Sequence, residues 1–176
     1  KKVSVSSSLE GYPAENIVDE DARTAWVAQS NRDMEWAQVD LQRLSSIHAI
    51  QVNFDEYGAN QKGAVSGVYQ SYLIYASVNG EDWSLVVDYG TKKTDTPHDY
   101  IEFEEPFKAR YIKLQNKEYM VSENFSVRDL RIFGKGQGST PRAVNDFTVE
   151  RDEADPCKAR LCWEAVPDAQ GYIVRY

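Results

Sequence analysis

Short runs of alternating apolar and polar residues dominate this chain, and a two-residue period is the signature of half-buried strands. In "AIQVNFDEY", Ile50, Val52 and Phe54 point one way while Gln51, Asn53 and Asp55 point the other. "RYIKLQ" places Ile112 and Leu114 on an inner face, and "DLRIFG" does the same with Leu130 and Ile132. "QSYLIYASV" is apolar on both faces, which suits a central strand, and the Asn79-Gly80 pair after it predicts a hairpin with a type I′ turn. No stretch keeps a helical period for three turns. One short helical turn fits from Pro13 to Val18, with Pro13 at the first helical position. The pattern predicts an all-β protein.

The 176 residues are 41% hydrophobic, enough for a packed core, and the mean hydropathy of −0.59 is that of a soluble chain. No apolar run approaches the roughly 20 residues of a membrane span, and Lys1 leads into "VSVSSSLEGYP" without a signal-peptide pattern. A formal net charge of −8 argues against a nucleic-acid partner, which calls for clustered Lys and Arg. It argues equally against an anionic membrane. Neutral partners, sugars or other proteins, fit better.

"GKGQGSTPR", Gly134 to Arg142, reads as a linker. The same letters resemble a phosphate-binding glycine loop, but no strand–loop–helix context surrounds them. The predicted divisions are residues 1–135, a linker at 136–141, and a second unit at 142–176. In that unit "DFTVERD", "ARLCWEAV" and "GYIVRY" read as three strands, too few to bury a core alone. The expectation is therefore a domain that continues past Tyr176. Cys157 and Cys162 have no paired histidines with which to build a zinc site and are expected as free thiols.

"AENIVDEDARTAWVA", "EWAQVDL", "YLIYASVNGEDWSLV", "ARYIKLQN" and "VRDLRIFG" follow one another as do the signatures of the discoidin domain. Residues 1–135 thus resemble the coagulation factor V/VIII type C family, which is related to carbohydrate-binding module family 32. The resemblance implies an antiparallel jelly-roll (galactose-binding-like) sandwich of eight strands, with ligand loops at one end. Residues 142–176 resemble the first strands of a fibronectin type III (immunoglobulin-like) sandwich, with Trp163 as its core tryptophan and Tyr172 as its partner across the sheet. Together the two resemble the C-terminal region of secreted bacterial family 43 glycoside hydrolases, which are xylosidase- or arabinosidase-like enzymes. Their five-bladed catalytic propeller would lie upstream of Lys1. On this resemblance the segment is a non-catalytic accessory region, secreted, periplasmic or on the cell surface. It would bind polysaccharide or oligosaccharide, or position the upstream catalytic domain.

"DEDARTAW" concentrates oxygen donors. A hard cation such as calcium takes six to eight oxygens at about 2.3–2.6 Å, and a tight loop bearing Asp19, Asp21 and Thr24 can turn several onto one point. The resemblance implies a structural calcium there, closed by an acidic residue near the last strand at the place of Asp129. It also implies glycine where this chain has Glu20, a departure that bears on the loop's geometry. The alternatives are a polar turn in which Asp19 and Thr24 bond to backbone amides, and a glycosidase-like carboxylate pair, for which nothing nearby supplies a suitable pocket. Trp26 and Trp36 are expected in the core.

A sugar site needs aromatic faces and planar polar groups on loops. "SNRDME" offers Asn31, Arg32 and Asp33. "DEYGANQKGAVSGVYQS" offers Tyr57, Asn60, Gln61, Lys62 and Tyr69, and "NKEYMVSENFS" offers Asn116, Tyr119, Asn124 and Phe125. Tyr57, Tyr69 and Tyr119 are the expected platform, with Asn31 and Arg32 as hydrogen-bonding partners. Galactose-binding relatives carry an arginine motif just after the strand ending near Asp55, and "DEYGAN" has none. A spacer role for these tyrosines competes with sugar binding. A discoidin-type adhesion module binding protein or a membrane surface is the alternative from another class. No catalytic motif is present: His48 and His98 lack a serine or cysteine elbow.

Overall fold

The computed structural model describes residues 1–59, 67–136, 144–152, 154–155, 157–166, 172 and 174. The chain divides into two units, Lys1–Gln137 and Gly138–Tyr176. The first holds β1 (Lys2–Val5), a 3-10 turn at Ala14–Val18 and β2 (Trp26–Val27), followed by β3 (Trp36–Phe54), β4 (Gln70–Ser77), β5 (Ser84–Tyr89), β6 (His98–Tyr119) and β7 (Ser126–Gly136). Pro13 stands just before the helical turn, in extended conformation.

All seven strands belong to one antiparallel hydrogen-bonded path, β2-β7-β3-β6-β4-β5, with β1 on the first half of β3. Two strands serve both layers. Residues 37–40 of β3 pair with β1, and residues 45–54 pair with β7 after a register break between Asp40 and Ser45. Gln42 lies at that break with φ of 64°, a left-handed bend uncommon for a non-glycine residue. β6 follows the same course, with its first half on the second half of β3 and residues 111–119 on β4. The expected eight strands are therefore seven among the described residues, two of them doubled across the sandwich.

The alternation holds where the sequence showed it. Ile50, Val52, Phe54, Ile112, Leu114 and Leu130 are buried between the layers with Trp26, Tyr72, Tyr119 and Phe125. β4 is buried along nearly its whole length, as its two-faced apolar pattern predicted. Two local expectations fail. Trp36 is only half-buried and lies outside the core cluster, because it stands in register with Gln115 on the polar outer face. The β4–β5 connection is also no type I′ turn, since Gly80 has a positive φ of 83° and Asn79 does not. Asn79 instead accepts bonds from the amides of Glu81 and Asp82, which caps a six-residue loop.

In the second unit, β8 (Thr148–Arg151) and β9 (Ala159–Cys162) form an antiparallel hairpin with Thr148 opposite Cys162. The Trp163 ring lies 5.1 Å from that of Tyr172 and 6.2 Å from that of Phe147. The Tyr172 hydroxyl accepts a bond from the Val166 amide at 2.6 Å. Cys157 and Cys162 are free and exposed. The expected linker lies almost wholly outside the described residues, and so does most of "GYIVRY".

Candidate functional site

The strand directions gather one set of loops. β3 starts and ends at the same end of the sandwich, as does β6, because each crosses to the other layer and returns. β1 and β5 end there, while β4 and β7 begin there. Residues 28–35, 55–59, 67–69, 90–97 and 120–125 therefore share one rim.

The rim is braced from below. Glu35 is buried and accepts bonds from Ser6, from Ser7 at 2.7 Å and from Ser30 at 2.7 Å. Burial pushes its carboxyl up, but the hydroxyls and the Ser30 amide outweigh that and hold it below the usual range. Asn116, fully buried, donates to the carbonyls of Asn31 at 2.7 Å and Arg32 at 2.9 Å. On the other side, Asp99 accepts from Tyr72 at 2.7 Å and from the Lys92 ammonium at 2.5 Å. Burial, then the Asp99 carboxylate, pushes the Tyr72 hydroxyl far up. Gln70 completes this anchor through Asp95 and the Thr96 amide.

Against this frame the five expected ligand residues separate. Tyr57 is half-buried and rests edge-on against Tyr12, ring centres 5.0 Å apart at 70°. Arg32 is exposed, with no side-chain partner among the described residues. Tyr69 donates to Glu118 at 2.6 Å, and the Lys93 ammonium lies 5.3 Å from its ring centre. The Tyr69 bond and the Lys93 charge hold the Glu118 carboxyl below its ordinary value. Asn31 and Tyr119 do not serve as expected. The Asn31 amide donates to the Ser122 carbonyl at 2.9 Å and the Tyr119 carbonyl at 3.3 Å, clamping two loops together. Tyr119 is 2% exposed, packed on Phe54 and Phe125 with its hydroxyl on the Asp55 carbonyl, so it is a core residue and no platform. Phe125 is buried, and the Asn124 amide is bonded to the Ala28 carbonyl. Asn60, Gln61 and Lys62 lie outside the described residues.

Sequence reading missed Lys93 and Glu118 as neighbours of Tyr69. The doublet in "TKKTDTP" was visible, but only the β5–β6 loop's place on this rim gives it meaning. Met34 and Met120 are also on the rim, 73% and 52% exposed.

The acidic loop lies elsewhere, against β7. Asp19 accepts from the Asp21 amide at 2.9 Å and the Thr24 hydroxyl at 2.7 Å, and that hydroxyl is also 3.0 Å from the Asp21 carbonyl. Asp21 turns its carboxylate to Arg23 instead, whose side-chain and backbone bonds bring it down to about 2. That carboxylate is thus not a shared donor with Asp19. Asp129 is buried with one oxygen on Arg131 at 2.5 Å and the other, Oδ1, without a hydrogen-bond partner among the described residues. Burial pushes its carboxyl up, and the nearby Glu20 charge adds to this. Glu20 has φ of 63°, which explains why glycine would suit the place. Among the described residues no group of three or more acidic, histidine or cysteine side chains gathers around one point. The oxygens that would suit a hard cation are the Asp19 carboxylate, the Thr24 hydroxyl, the Asp21 carbonyl and the unpartnered Asp129 Oδ1.

Lactadherin of Rattus norvegicus is 33% identical over 110 residues, 58% of this chain and 25% of the lactadherin, so the match spans about a quarter of that relative's length. Chitosan-binding module 2 of a chitosanase/glucanase from Paenibacillus sp. IK-5, solved with chitotriose, superposes with a TM-score of 0.64 at 19% identity. It covers 76% of this chain and 96% of the module. The family 32 carbohydrate-binding module of C. perfringens NanJ, solved with galactose, gives 0.59 at 19% identity, covering 74% and 91%. The F5/8 type C domain model matches residues 2–130, and the chain belongs to that family.

Proposed function

We propose that residues 1–136 form a non-catalytic carbohydrate-binding module whose ligand end is the rim of loops around Tyr57, Arg32 and the Tyr69–Lys93–Glu118 group. The observation that carries this reading is that one braced rim holds both an accessible ring, Tyr57 propped on Tyr12, and the Arg32 guanidinium, which has no side-chain partner among the described residues. A ring offers the C–H face of a sugar its partner, and planar donors take its hydroxyls. Modules of the same fold solved with chitotriose and galactose support the class of ligand. The finer parts of the reading are an exported bacterial glycoside hydrolase of xylosidase or arabinosidase type as the parent, an upstream catalytic domain, and a structural calcium at Asp19, Thr24 and Asp129.

The test is an affinity-gel screen of the chain on arabinoxylan, arabinan, galactan and chitosan. Retardation on one polymer that disappears in Tyr57→Ala and Arg32→Ala, with an unchanged melting temperature, is the expected result. Equal mobility of wild type and both variants on every polymer would sink it. The second reading, adhesion to a protein or membrane surface, is favoured by Met34 and Met120 standing exposed on the same rim. Vesicle or protein capture lost in Met34→Ser/Met120→Ser would select it instead.

A further inference from the structure

In the layer built from β1, the first half of β3, the second half of β6, β4 and β5, Val39, Ile112 and Ile74 point into the core. Alternate residues of the same strands face outward. Gln38 stands opposite Lys113, and Lys113 opposite Tyr75, so the three make one row on that outer face. Trp36 and Gln115 belong to the next row, about 7 Å further along the strands. Trp83, just before β5, closes on the first row. The Lys113 ammonium lies 4.0 Å from the Trp83 ring centre and 5.7 Å from that of Tyr75.

The polar tips on this face are free, unlike those of the inner aromatics. Trp26, Tyr72 and Tyr119 each give the indole N–H or hydroxyl to a partner within the chain. Trp36, Trp83 and Tyr75 are half-buried, yet among the described residues neither indole N–H nor the Tyr75 hydroxyl has a hydrogen-bond partner. The Gln38 amide is equally free, and Gln115 reaches the Asp33 carbonyl at 3.2 Å. Lys113 meets no carboxylate among the described residues. Its neighbours offer only ring faces, and burial pulls its ammonium below the ordinary lysine range. Asp40, on the same face, is held by Arg110, and Asp88, opposite Leu73 at the sheet edge, accepts from the Gly90 amide.

An apolar partner would strand these donors. A sugar chain instead offers C–H faces to the rings and oxygens to the amide and indole donors, and a carboxylate on it supplies the anion that Lys113 lacks. We infer that this sheet face is a second glycan site, for an acidic oligosaccharide. The Trp36, Tyr75 and Trp83 rings take its sugar faces, Gln38 and Gln115 its hydroxyls, and Lys113 a uronate carboxylate. The site rests on the reading of the module as carbohydrate-binding but uses none of the rim's ligand residues, so the two can fail separately.

The test is an NMR titration of the 176-residue chain with trigalacturonate, against uncharged galactotriose at matched ionic strength. Saturable shifts are expected at the Gln38, Lys113 and Tyr75 amides and at the Trp83 indole N–H. Binding should be about tenfold weaker for galactotriose and in Lys113→Gln, since each loses the charge-assisted bond. Gln38→Ala, which leaves Lys113 and its rings in place, should weaken it several-fold. Tyr57→Ala/Arg32→Ala, which removes the rim's ligand groups, should leave these shifts unchanged. Equal binding of galactotriose, wild-type affinity in both Lys113→Gln and Gln38→Ala, or loss of the shifts in the rim variant would overturn the site.

Discussion

Asp40 and Arg110, 70 residues apart in the chain, meet through two parallel hydrogen bonds, Nε to Oδ1 at 2.9 Å and Nη2 to Oδ2 at 3.0 Å. They meet where β3 and β6 both pass from one layer to the other, beside the Gln42 bend, whose amide also bonds to Asp40 at 2.7 Å. One carboxylate thus fixes the bend of its own strand and ties it to the bend of the next. The Arg110 bonds hold it below the usual carboxylate range despite its partial burial. Asp40→Asn is expected to lower the melting temperature by roughly 2–4 °C and to speed hydrogen exchange at Gln42. Exchange at the rim amides should not change. An unaltered Gln42 rate would show that the backbone holds the bend unaided.

The two tryptophans of the opening segment should differ sharply. Trp26 is fully buried against Phe125 and donates its indole N–H to the Ser7 carbonyl at 2.9 Å. Trp26→Ala should cost about 3–5 kcal/mol by urea denaturation. Trp36, half-buried on the outer face, should cost roughly 1–2 kcal/mol. Equal losses would contradict the placement of Trp36 outside the core.

Glu35 makes the rim's stability depend on pH. Its folded pKa lies below the unfolded one, so its contribution is complete above the ordinary glutamate range and is lost as pH falls through the folded value. Glu35→Gln should be less stable than wild type at neutral pH, with a gap that narrows toward pH 3. Denaturant midpoints between pH 3 and pH 7 measure this, and a constant gap would assign the loss to packing alone.

Asp129 has the opposite sign. Its raised pKa means that its favourable contribution belongs to low pH and is lost as pH rises through the folded value. A cation on the unpartnered Oδ1 would reverse that cost. Calcium after EDTA treatment should therefore raise the melting temperature by several degrees near neutral pH, and Asp129→Asn should abolish the gain. No calcium response in the wild type would leave a polar turn.

Several features could be read in the residues themselves. Period-two alternation told apart the faces of β3, β6 and β7, since a strand's two faces follow from local geometry alone. Pro13 marked the helical turn at Ala14–Val18 for the same local reason. The rim could not be read this way. Tyr57 and Tyr119 are the same residue type on loop-like stretches, yet one is accessible and the other fills the core between Phe54 and Phe125. Asn31 looked like a free donor until the end of β6 came to lie beside it. The sequence by itself determined strands, their inward residues and the family motifs, because these depend on neighbours a few positions away. Only the tertiary structure decided which polar groups stay free, because Asp40 with Arg110 and Asn31 with Ser122 are brought together by strands doubling back across two layers.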